Sequence, residues 1–278
     1  MPASAVELFL PWEFSPTVSV TIVLAVTLYA VGCARAASPV SLLRRIAFYL
    51  GLSLIYCALQ TKWDYYAGHM FFVHRLQHFA LHDVGPALLA ASAPAAELAR
   101  GLPQWLGPRV AQMTGRLRPV ARMLFDPWTA TAMYIASLVL WIWSPMHFYA
   151  MLSNRLYRLM NWSVVLGDLP FWWLVLDPRP YPLARVKQGY RILMLSIVML
   201  PMMLAGAILG LSRHDLYPVY QICGRFAPVS ALTDQQIGGL IIWIPGTVFL
   251  VSIAILVLRR ILRQEHAAQA ARGSAAAL

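Results

Sequence analysis

Four of the chain's seven histidines, His69, His74, His78 and His82, crowd into the segment HMFFVHRLQHFALHD, residues 69–83. The last three recur every fourth residue. On a helix each such step climbs about 6 Å and turns about 40° past a full circle. Neighbouring pairs therefore share a face, and Met70 extends that face by one turn. Two histidines four apart can hold one metal ion from a single helix, as in HExxH sites. His74 and His82 lie about 12 Å apart along the axis, too far to serve one ion easily. A lone membrane histidine more simply bonds a neighbouring helix. A pair on one face with Gln77 beside it favours a metal site, and the neutral imidazole is the form that binds metal. His74 and His78 are the core candidates. His82 and Asp83 are candidates for further ligands, or for a deeper polar network with Asp168.

A second cluster is WIWSPMHFYAML, residues 141–152. Pro145 breaks a helix there, and Met146 and His147 are expected to emerge at the membrane level of Met70 and His74. Imidazole with thioether suits copper, Cu(I) above all, better than hard cations. The plainer alternative is interfacial anchoring by aromatic residues around an exposed loop. His147 joins the candidate ligands, with Met70 and Met146 behind it. Asp234 and Gln235 open the apolar run DQQIGGLIIWIPG. They either cap that helix or bond the histidines as outer supports.

The elements that must position these groups are membrane helices. The 278 residues are 60% hydrophobic and 12% charged, with a mean hydropathy of +0.63, whereas a soluble domain carries about 25% charged residues. Apolar runs near the ~20 residues that cross a bilayer occur at about 16–35, 45–62, 68–92, 127–144, 153–176, 188–212 and 235–260. The expected fold is all-α: one polytopic bundle over 1–278 with about seven transmembrane helices. Residues 94–126 are expected to form a basic cytoplasmic loop, part of it an interfacial amphipathic helix. Residues 264–278 are expected to be a flexible tail. The start, MPASAVELFLPWEF, has no basic residue, so no cleavable signal peptide is expected.

The net charge of +11 suggests nucleic acid only if its distribution is ignored. With the N-terminus outside and seven crossings, 16 of the 22 basic residues fall in cytoplasmic segments. Lys62, Arg213 and Arg225 fall outside, and Arg75, Arg155 and Arg158 within spans. That is the positive-inside pattern, with the C-terminus cytoplasmic. Lipid is the expected surface partner, and no nucleic acid. Cys33, Cys57 and Cys223 show no metal or redox spacing and are expected to be packing residues.

HRLQHFALHDVGPALL, with His74, Gln77, His78, Leu81 and Pro86, resembles the HxxQH helix of the CtaG-like family of bacterial cytochrome c oxidase assembly factors. FWWLVLDP (171–178), LYPVY (216–220) and DQQIGGLIIWIPG (234–246) agree with that family in order and spacing. The resemblance covers roughly residues 65–250. It implies a seven-span inner-membrane protein, not an enzyme, that matures haem–copper oxidases by handling copper, with oxidase subunits and periplasmic copper chaperones as partners. One departure stands out. Relatives commonly carry another histidine pair on span five, where this chain reads NRLYRLMNWSVVLGD (154–168). Either His147 completes the site, or Asn161 and Tyr157 leave a weaker one, or metal binding is lost.

The leading expectation is a copper-handling assembly factor acting at the periplasmic side of the inner membrane. A b-type haem electron carrier needs a second axial histidine at matching depth on another span, and no span plainly offers one. A copper permease would use His74, His78, His82 and Asp83 as a column of sites. A scaffold would use the histidines only to bond neighbouring helices.

Overall fold

Helix starts fall where a short polar residue or a proline precedes an apolar run. In the computed structural model, which describes residues 11, 13–179 and 181–276 (side chains to His266), α1 (Pro16–Ala34) begins on Pro16, whose fixed φ suits a first turn. Ser41 caps α2 (Leu42–Gln60) by accepting from the Arg44 N–H. Thr61 ends α2 in an extended conformation and caps α3 (Lys62–His69). The histidine segment follows as α4 (Phe71–Phe79), a π-turn (Ala80–Val84) and α5 (Gly85–Ser92), continuously helical from 71 to 92. Three short helices come next, α6 (Ala95–Gly101), α7 (Gly107–Arg116) and α8 (Arg118–Leu124). Asp126 caps α9 (Pro127–Ile142), which leads into α10 (Ser144–Leu152). Ser153 caps α11 (Asn154–Leu176), and α12 (Gln188–Leu211), α13 (Val219–Cys223) and α14 (Ala231–Ala276) complete the chain.

The fold is all-helical, as expected, with no strand among the described residues. Five helices are long and apolar enough by themselves to cross a membrane: α1, α2, α11, α12 and α14 as far as His266. The pair α8 and α9, bent by 68°, makes a sixth if counted as one span. The other expected crossing, 68–92, is divided by the π-turn, and 127–144 stops at Ile142 because the Ser144–Pro145 start of α10 redirects the chain. The span interrupted by charges in the sequence is one unbroken helix, with Arg155 and Arg158 exposed in its first turns and Asp168 buried. Helix continues through the expected tail to Ala276, and 277–278 lie outside the described residues.

Glycines set the closest helix contacts. A Cβ on Gly239 of α14 would stand 2.3 Å from the Gly210 backbone nitrogen of α12, so only glycine admits this approach. One residue earlier, a Cβ on Gly238 would stand 2.4 Å from Phe71 Cδ1, which seats α14 directly on the start of α4. The histidine run is thereby central: α4 packs on α14, and the π-turn and α5 pack on α2 and α11. Around this core Leu200, Leu204 and Ile208 of α12 and Ile244 and Val248 of α14 are exposed. So extensive an apolar exterior suits lipid rather than water. In the 94–126 region Trp105 and Met113 are exposed, and α7 has no buried residue.

Candidate metal centre

The helical repeat does what the spacing requires. His74 and His78 stack on one face of α4 with ring centroids 4.5 Å apart and planes 25° from parallel. The Pro145 break brings His147 of α10 edge-on to His74, with centroids 4.8 Å apart. His147 is not on an exposed loop: it is fully buried within a helix, as His74 is. Proline in the first turn of α10 starts a new helix instead of releasing the chain, so the side chain turns inward. His69 stays apart, its Nδ1 donating to the Tyr65 carbonyl at 2.7 Å.

Satisfaction of the ring nitrogens separates these histidines. Both nitrogens of His74 and both of His78 are buried without a hydrogen-bond partner. The Ala67 carbonyl approaches His74 but lacks bonding geometry. His147 is engaged at both nitrogens. Its Nδ1 lies 3.2 Å from the Trp141 carbonyl, which can only accept, so Nδ1 carries the proton. That leaves Nε2 to accept from the Tyr220 hydroxyl at 3.0 Å. Among the described residues no three His, Cys, Asp or Glu side chains are grouped to hold a metal ion. The donor set in place is therefore the His74–His78 pair, with His147 available only if Tyr220 lets go. A soft, closed-shell ion that tolerates few ligands fits two open imidazoles better than a hard cation does.

The remaining candidates lie around this pair. Met70 is fully buried at the start of α4 and Met146 half-buried on α10. Gln77 is committed elsewhere: its Nε2 donates to the Ala58 carbonyl at 2.6 Å and to Asp64 Oδ1 at 2.7 Å. Tyr157 also donates to Asp64 Oδ1, at 2.7 Å. This network borders a cavity of about 60 Å³ lined by Glu13, Asp64, Tyr157 and Asn161 among others. Asn161 Oδ1 is buried there without a partner. Asp64 stands on α3, between spans, and burial pushes its carboxyl up to about 6 against the pull of the Tyr157 and Gln77 hydrogen bonds.

Asp234 and Gln235 differ from both expectations. Asp234 caps the histidine helix instead of its own, accepting from the backbone N–H groups of Phe71 at 3.0 Å and Phe72 at 2.9 Å. Close packing at Gly238 puts the carboxylate within reach of those open donors. Gln235 reaches no histidine: it holds the 212–216 loop through the Leu216 N–H and the His214 carbonyl.

At the π-turn the surroundings change. His82 Nδ1 lies against Asp168 Oδ2, and Asp83 accepts from the Tyr134 hydroxyl at 2.6 Å. Pro86 has no N–H to give to the His82 carbonyl, and the Trp172 indole supplies a donor at 2.7 Å. The pairing with Asp168 matches the sequence expectation. The spacing of the histidines contained no sign of Trp172, Tyr134 or Tyr220, which reach the run from distant segments. Arg75 was legible as a charge within an apolar helix, a mark of function in its own right.

Fold and site together define a helical membrane-protein class: an apolar-surfaced bundle with an interior run of histidines. The chain belongs to the cytochrome c oxidase caa3 assembly factor family (Caa3_CtaG), whose model matches residues 27–264. No curated protein and no solved structure matches it. Membership assigns the chain to oxidase assembly, and a membrane location agrees with its apolar helices.

Proposed function

We propose that this protein takes up copper as Cu(I) on His74 and His78 and hands it to cytochrome c oxidase during assembly. The observation that carries this reading is the set of four buried, partnerless ring nitrogens on the stacked pair. An unsatisfied buried polar group costs about 1–3 kcal/mol, so such a cluster is expected where a ligand supplies the missing bonds. His147 is a third ligand held in reserve by Tyr220, which suits a carrier that must release its ion. The seven-span topology, with the N-terminus outside and the 94–126 segment on the inner leaflet of the bacterial inner membrane, belongs to the same proposal. It places the pair toward the periplasmic side, where oxidase subunits and periplasmic copper chaperones are its partners.

Copper per protein after purification under reducing, copper-replete conditions tests the reading, comparing wild type with His74→Leu/His78→Leu. Near-stoichiometric copper in the wild type and little in the variant supports it. A folded wild type without copper overturns the ligand assignment and leaves a scaffold. A haem held between axial imidazoles needs a flat cavity between the rings, and the edge-to-face contact of His74 with His147 favours a single ion instead. One observation favours copper permeation as a second reading. The histidine run continues inward, with His78 and His82 centroids 5.5 Å apart and Asp168 beyond. Copper uptake into proteoliposomes separates that reading from a carrier.

A further inference from the structure

Between the two open histidines in sequence stands Arg75, a fully charged side chain inside the helical core. Only 3% of its surface is exposed, and its Nε and Nη2 are buried without partners. Among the described residues it forms no ion pair. Its guanidinium lies over the Phe71 ring, 5.0 Å from the centroid, and its stem is fixed against Gly238 of α14. Arg75 and His78 line one cavity of about 30 Å³ together with His82, Met202 and Ile242 among others, with room for a water-sized occupant. Asp83 lines the same cavity but is held by Tyr134 and makes no pair with Arg75.

Arginine keeps its charge in proteins, and its five donors match anions. A guanidinium buried without a counter-charge is costly, and an intramembrane charge marks a function with a partner to be named. The same charge opposes a bare cation on the imidazoles beside it. Both difficulties vanish if the ion arrives with a negative companion.

We propose that Arg75 is an anion site adjoining the histidine pair, so that copper binds with one soft anionic co-ligand, a halide or a thiolate. The inference rests on the copper reading above and adds the ligand's class. The exchange balances: copper gains two imidazole nitrogens, keeps one anionic ligand and releases its other previous donors to solvent, with no change of oxidation state.

The full-length protein in detergent, loaded with Cu(I) in sulfate, bromide or a small thiol at constant ionic strength, tests this by X-ray absorption at the copper edge. The wild type is expected to show imidazole nitrogens plus one bromine or one sulfur, according to the anion supplied. Its copper retention should rise about tenfold or more over sulfate. Arg75→Gln should lose both the heavy scatterer and the anion dependence, and Arg75→Lys should keep part of each. A nitrogen-only shell with retention indifferent to the anion overturns the inference while leaving the copper reading standing. If no copper binds at all, the copper reading fails and the melting temperature decides. Stabilisation of the metal-free wild type by bromide over sulfate, absent in Arg75→Gln, keeps the anion site, and equal behaviour of the two proteins overturns it.

Discussion

The two ends of the histidine run are built in opposite ways. At its start, His74 and His78 offer four ring nitrogens to nothing, and Arg75 between them has no counter-charge. At the π-turn, His82 has an ion-pair contact with Asp168, though no aligned hydrogen bond, its carbonyl takes the Trp172 indole, and Asp83 takes the Tyr134 hydroxyl. The same residue type, on one helical run, is left open in one place and tied in the other. Buried polar groups that are paired hold a fold together, whereas groups left open at such cost mark a place meant for something else. These contacts hold the π-turn against α9 and α11.

Breaking the tied end should give the largest effect. Asp168 is completely buried, and the His82 ring is its ion-pair partner, although neither carboxylate oxygen receives an aligned hydrogen bond. Removing one member of a buried pair costs about 3–5 kcal/mol, so Asp168→Ala should lower the melting temperature in detergent sharply and reduce folded yield. At the open end the sign should differ. Replacing partnerless imidazoles with apolar side chains of similar size removes unsatisfied groups, so metal-free His74→Leu/His78→Leu should melt no lower than wild type. A loss in that double variant as large as that of Asp168→Ala would erase the distinction between the ends.

A smaller effect tests how the open end is held. Asp234 satisfies two backbone donors at the first turn of α4, and loss of an N-cap costs about 0.5–2 kcal/mol. Asp234→Ala should therefore lower the melting temperature modestly and weaken copper retention together, because the capped turn lies one turn from His74. Asp234→Asn, which can still accept, should recover most of both. Weakened retention at an unchanged melting temperature would instead give Asp234 a direct part in the site.

How much of this could be read from residue order depends on how far each feature reaches along the chain. The helices and the shared face of His74 and His78 follow from local periodicity, and the Pro145 break foretold that His147 would return to the same level. The π-turn was not legible. Gly85 and Pro86 punctuate the helix there, but the turn is completed by Ile55 packed on Gly85 and by an indole 90 residues from His82. The sequence offers Asp234 as the cap of its own helix or as a support for the histidines, and neither local rule points to the donors it serves, 163 and 162 residues away. For His147 the sequence showed a candidate ligand but not the Tyr220 hydroxyl that occupies its Nε2.

A pH-dependent effect concerns the rim between the two environments. Asp64 joins Tyr157 to Gln77, which sits on α4 between the open histidines. Burial raises its carboxyl from 3.8 to about 6, so the folded protein holds that proton more tightly than the unfolded chain does. Stability from this group is therefore fully present below the unfolded value and is lost as pH rises through about 6. The melting temperature should fall gently across that window in the wild type. Asp64→Asn, which keeps an acceptor for Tyr157 and cannot ionise, should flatten the slope without changing copper retention. If the slope persists in Asp64→Asn, the titrating group lies outside this network and the assignment to Asp64 fails.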